Sequence, residues 1–182
     1  MRIALTGTPG TGKTSISKFL IKKGFEVIDL NKVACEKGFT IGLDKIRKSK
    51  IVDIEKLNDF ILNGFSNKDI IIIEGHLSHL LDCVEKVIIL RCHPTQLRKN
   101  LSKRDWGQNK IKENLEAEIL DVILCETINS FSEENIFEID VTSSSIDKIA
   151  SVIIDLIDNK FKNIKKYKIG KIDWSEEILK GF

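Results

Sequence analysis

Residues 7–14 read GTPGTGKT and lie between a short apolar run at residues 2–5 and a segment with helical spacing at residues 13–23. A glycine-rich turn that joins a strand to a helix in this way constrains the chain more than any other feature. Its glycines let consecutive backbone N–H groups turn inward, so the turn becomes a cradle for phosphate oxygens. In the pattern G-x-x-x-x-G-K-[ST], Lys13 is the residue that reaches the outer phosphates. The hydroxyl of Thr14 stands at the helix start, where it can ligate Mg2+. The positive end of the helix dipole favours the bound negative charge. The motif implies a chain that binds a nucleoside triphosphate. A turn that merely connects two elements fits less well, because strand and helix both lie where the cradle requires them.

At 182 residues the chain is long enough for one domain with its own core, and a division into two is not visible. A net charge of +2 is too small to argue for nucleic-acid binding by itself, so any basic surface must be local. Cys35, Cys83, Cys92 and Cys125 form no C-x-x-C pair and have no histidines at zinc-site spacing, so they read as reduced, mostly buried thiols. The N-terminus runs directly into a strand, and no apolar run approaches the roughly 18 residues of a membrane span. No export signal or anchor is expected, and the expected location is the cytoplasm.

Strand-like runs rich in Ile and Val occur at residues 2–5, 26–30, 69–73, 86–90 and 136–141. Helical spacing occupies residues 13–23, 54–62, 95–103, 110–129 and 146–161. This alternation predicts a three-layer α/β sandwich: a five-stranded parallel sheet with helices on both faces. The near-continuous apolar runs at 69–73 and 86–90 belong in its centre. Residues 31–53 contain Gly38, Gly42, Arg47, Lys48 and Lys50 and are too long for a mere connection; they read either as an acceptor-binding arm, with Arg47 meeting a phosphate, or as a solvated basic loop. The tail at residues 162–182 is rich in lysine and ends with Ile172, Trp174, Ile178 and Leu179. It is expected to dock on the domain, as a helix folded back, because an exposed Trp and Leu would be a liability.

The third apolar strand ends in Glu74, followed by Gly75 and His76. A carboxylate at the end of a strand beside the phosphate loop can hold Mg2+, usually through water, and the glycine would let the backbone pass close to the phosphates. His76 and His79 stand at i, i+3, but no third ligand is near in sequence and Mg2+ prefers oxygen. His76, better placed than His79 to approach the phosphates, reads either as a hydrogen-bond donor or as a loop histidine with no chemical duty. The basic run RKNLSKRDW at residues 98–106 can bring cations to a transferring phosphoryl group on a mobile flap. Arg104 is the favoured finger; Arg91 is either an alternative or a structural partner for a carboxylate such as Glu118. Lys99 and Lys103 read as a solvated face.

With these motifs in hand, the chain resembles the adenylate kinase isoenzyme 6 family, small P-loop nucleoside monophosphate kinases also linked to maturation of the small ribosomal subunit. The resemblance rests on GTPGTGKT, on VIDLNKVACEKG, IVDIEKL, IIIIEGH and VIILRC, and on KRDW followed by IKENLEAEIL, and runs to about Phe161. It implies a P-loop NTPase-type fold and Mg2+-dependent transfer of phosphate from ATP to AMP. Gly10, Gly12, Lys13, Thr14 and Ser15 would surround the ATP phosphates, and Arg104 would be a lid arginine. It further implies an acceptor arm over about 30–53, a lid over about 103–113, and a ribosomal protein or small-subunit rRNA as partner. Cys35 stands where other members carry an arginine, which leaves acceptor phosphate binding to Arg47 or Lys32. Ser143–Ser145 replace a lysine-containing loop near the expected adenine site. The extension at 162–182 is expected outside the family core.

Overall fold

The computed structural model describes residues 1–44, 49–65, 69–162 and 164–179. Its frame is a parallel sheet of five strands: β1 (Arg2–Thr6), β2 (Val27–Asp29), β5 (Ile71–Glu74), β6 (Lys86–Arg91) and β7 (Ile136–Asp140). They lie in the order β2-β5-β1-β6-β7. The two strands with continuous apolar runs flank β1 in the centre, as a strand covered on both faces must. Successive side chains alternate across the sheet. Ile3 and Leu5 face one layer with Ile16 and Leu20 of α1 (Lys13–Lys22) and Ile153 and Leu156 of α7 (Ile146–Asp158). Ala4 faces the other, with Leu57 and Ile61 of α3 (Ile54–Gly64) and Leu124. Each fully buried Leu or Ile stabilises the frame by roughly 1.5–3 kcal/mol. The loop after β1, Glu74 at the end of β5 and Arg91 at the end of β6 therefore converge at one edge, the carboxyl ends of the strands.

Two expectations need correction, and a third stretch gains detail. Residues 31–53 hold α2 (Leu30–Glu36), capped by Asp29 Oδ1, which accepts from Lys32 N at 3.0 Å, and the antiparallel pair β3 (Thr40–Asp44) and β4 (Ser49–Val52). Arg47 lies outside the described residues. The helix expected over 110–129 is two, α5 (Gln108–Ile119) and α6 (Val122–Ser130), because Asp121 turns left-handed at φ 54° and gives its carboxylate to Arg91. The tail docks, but as an irregular strap. Lys168 bridges Phe137, Gly170 N donates to Glu138 Oε2 at 2.9 Å, and Trp174 meets the His93 ring edge-on at 5.0 Å. Its helical part is the single turn α8 (Glu176–Leu179). Of the four cysteines, Cys83 and Cys92 are buried and Cys35 and Cys125 exposed.

Candidate active site

The phosphate loop is held from beneath by α4 (Pro94–Leu101). Gly10 sits at φ +98°, and a Cβ there would lie 2.9 Å from Leu97 Cδ1, so only glycine lets loop and helix meet. Asn100 Nδ2 fastens the contact by donating to Gly10 O at 3.0 Å. Gly12, also left-handed, starts α1 without a side-chain cap, which leaves the N–H groups of the first turn for a ligand. Lys13 is buried and its Nζ donates to Gly7 O at 2.6 Å and Thr8 O at 3.1 Å. Burial pulls its pKa down to about 8 and Arg104 adds to that, while Glu74 and Glu118 oppose it.

Glu74 is buried at the end of β5, and Thr14 Oγ1 donates to its Oε1 at 3.5 Å. Desolvation, then the nearby Asp29, raise the Glu74 pKa, and Lys13 and Thr14 pull the other way. A hydroxyl and a carboxylate oxygen at the mouth of a phosphate cradle suit Mg2+, which keeps several waters and takes one or two protein oxygens beside substrate phosphates. Gly75 has a different duty from the one its sequence position suggested: a Cβ there would lie 2.9 Å from Cβ of Leu30, so the glycine lets α2 pack against the strand end. Burial, then the Lys13 charge, lower the His76 pKa to about 4, so the ring is neutral at pH 7 and can donate one hydrogen bond. His79 faces away from this task. It is buried, with Nδ1 3.2 Å from Thr6 Oγ1 and Nε2 2.9 Å from Glu126 Oε2.

Opposite the loop stands the segment that carries Arg104, Trp106 and α5. The Arg104 guanidinium lies 4.9 Å and Lys110 Nζ 4.4 Å from the Trp106 ring centre, a stack that gathers two cations at one wall. The open cleft between them measures about 650 Å³. Gly10, Gly12, Lys13, Thr14, Glu74, His76 and Arg104 all line it, so one space gathers residues spread over the first 104 positions. Ser15 is exposed on the first turn of α1 outside this lining. Lys32, 67% exposed, pairs with Glu36 on its own helix instead. Lys99 and Lys103 are exposed.

Sequence reasoning missed Lys110, Asn114 and Ala117, which line the cavity at i, i+4 and i+7 of α5. That spacing was a legible signal of one helix face. Asn31 and Glu126 also line the cavity, and no local pattern marks them. Arg91 is the structural partner and not a finger: it is buried, and its guanidinium is shared among Glu118, Asp121 and Glu138.

Residues 3–121 match a family model described as an AAA domain. Over 180 residues the chain is 40% identical to a protein of Methanocaldococcus jannaschii named "Putative adenylate kinase", a match covering 98% of this chain and 96% of that one. It is 41% identical over 178 residues to an Archaeoglobus fulgidus protein of the same name, covering 98% and 94%. The chain belongs to this archaeal family. Because 98% of the chain is matched, the shared length takes in nearly all of the tail and does not stop near Phe161. Among solved structures, shikimate kinase from Bacteroides thetaiotaomicron superposes with a TM-score of 0.53 at 16% identity, covering 87% of this chain and 98% of that one. Deoxyadenosine kinase from M. mycoides gives 0.53 at 15% identity, covering 87% and 100%. The family thus has the fold of P-loop kinases. No helix among the described residues is long and apolar enough to cross a membrane.

Proposed function

We propose that this chain is a nucleoside monophosphate kinase that catalyses ATP + AMP to 2 ADP by direct in-line transfer. The observation that carries the reading is the single cavity in which Lys13, Thr14, Glu74, His76 and Arg104 meet. Donor phosphates rest on the loop amides and the start of α1. Lys13 leaves its carbonyl partners to offset charge on the transferring group, and Arg104 does so from the other wall. Neutral His76 donates a hydrogen bond to a phosphoryl oxygen. Thr14 and Glu74 would hold Mg2+, which would supply neutralisation of phosphate charge. Residues 103–113 act as a lid whose closure excludes water, and residues 30–53 as the acceptor arm, with Arg47 on the acceptor phosphate. The names borne by the archaeal relatives support the choice of AMP.

The test is ADP formation with AMP, dAMP and CMP as acceptors. ADP formation that depends on AMP and exceeds that with CMP supports the reading; ATP consumption indifferent to every monophosphate contradicts it. Arg104→Ala is expected to lower kcat by at least about a hundredfold with the fold retained, as measured by steady-state kinetics and circular dichroism. A second reading, an assembly ATPase acting on small-subunit rRNA or a ribosomal protein, draws on exposed Lys160, Lys162, Lys165, Lys166, Lys168 and Lys171 around the strap. It requires ribosomal subunits, and not AMP, to stimulate ATP consumption.

A further inference from the structure

Behind the phosphate loop lies a buried polar cluster that the reaction as described does not use. Glu118 reaches from α5 to the underside of the loop. Its Oε1 accepts from Arg91 Nε at 2.9 Å and from Cys92 N at 3.0 Å, while Oε2 accepts the hydroxyl hydrogen of buried Thr8. Thr8 in turn presents its carbonyl to Lys13 Nζ at 3.1 Å, to Thr11 Oγ1 at 3.0 Å and to Thr11 N at 3.2 Å. Arg91 is itself fixed by Asp121, at the break between α5 and α6, and by Glu138, whose other oxygen accepts Gly170 N of the strap.

We infer that Glu118 is a positioning residue of the phosphate loop: oriented by Arg91, it fixes Thr8 so that the Gly7 and Thr8 carbonyls hold Lys13 Nζ toward the cavity before nucleotide arrives. A carboxylate buried beside an anion-binding loop looks unfavourable, since it repels phosphate. The arrangement is sensible if rigidity outweighs that repulsion. A hydrogen bond to a charged group is stronger than one between neutral groups, and a loop already in its binding shape spends none of its binding energy on ordering. Because α5 also carries Lys110 and Asn114 into the cavity, one side chain joins the donor cradle to the opposite wall.

The inference rests on the kinase reading for its kinetic arm only, and calorimetry with ADP provides an arm independent of turnover. Thr8→Val, close in shape and without a hydroxyl, is expected to weaken ADP binding about tenfold and lower kcat/KM for ATP by about tenfold or more, with KM for AMP within about twofold of wild type. Thr8→Ser is expected to recover both to within about threefold. Glu118→Gln should show the same loss. Wild-type ADP affinity in Thr8→Val, or a Thr8→Ser variant as impaired as Thr8→Val, or wild-type ADP affinity in Glu118→Gln, overturns the inference. If wild-type protein phosphorylates no monophosphate, the kinase reading fails and the calorimetric comparison alone decides this one.

Discussion

Lys13→Ala is expected to lower kcat for ADP formation by about a thousandfold, the upper range for removing one donor preorganised toward developing charge. The lysine is held by two loop carbonyls at 2.6 and 3.1 Å, so the loop itself sets its place. Stability should respond differently. Burial lowers the Lys13 pKa from 10.5 to about 8, so the folded chain pays for the charge below pH 8 and is relieved of it as pH rises. Unfolded lysine keeps its proton to higher pH, so wild type should gain stability relative to Lys13→Ala between about pH 8 and 10.5. Urea titrations across that range measure the difference. A variant that turns over at the wild-type rate, or a stability gap that widens in the opposite direction, contradicts the assignment.

The second large effect is structural. Arg91→Leu leaves Glu118 and Glu138 buried with their shared cation gone, and breaking a buried ion pair from one side costs about 3–5 kcal/mol. In a chain of this size that amounts to a fall in Tm of roughly 6–20 °C. Burial already raises the Glu138 pKa, with Arg91 the chief opposing influence, so in the variant it rises further. A carboxyl whose folded pKa is raised is tolerated when protonated and penalised as pH climbs, so the defect should shrink in mildly acidic buffer and grow toward neutrality. Scanning calorimetry of both proteins from pH 5 to about 7.5 reads this directly. A Tm defect of under about 2 °C, or one that grows on acidification, would show that the guanidinium is not what makes this cluster tolerable.

Much of this was legible in the sequence because the decisive residues are local. The phosphate loop is contiguous, its glycines answer to backbone geometry, and Lys13 and Thr14 follow within two positions. Glu74 and His76 could be read because a strand end is a fixed place in a parallel sheet. That the strands at 69–73 and 86–90 are central followed from their apolar runs, covered on both faces. What escaped were features decided by tertiary contact. Asp121 turns left-handed because Arg91 draws its carboxylate, and nothing in the helical spacing of residues 110–129 announces that break. Gly75 looked like an approach to phosphate, but the side chain of Leu30 explains it. The antiparallel pair β3 and β4 lies among exposed residues such as Ile41 and Leu43, where no buried face imposes a two-residue period. The strap follows no regular period because its anchors are single contacts: Gly170 on Glu138 and Trp174 on His93.

The account turns on where the terminal phosphoryl group of ATP goes. ATP labelled in its γ-phosphate, incubated with the protein, Mg2+ and unlabelled AMP, should deliver the label to the β-position of newly formed ADP, with little free phosphate, and Lys13→Ala should suppress that product. Label released as inorganic phosphate at a rate unaffected by AMP would contradict transfer between the two walls of the cavity.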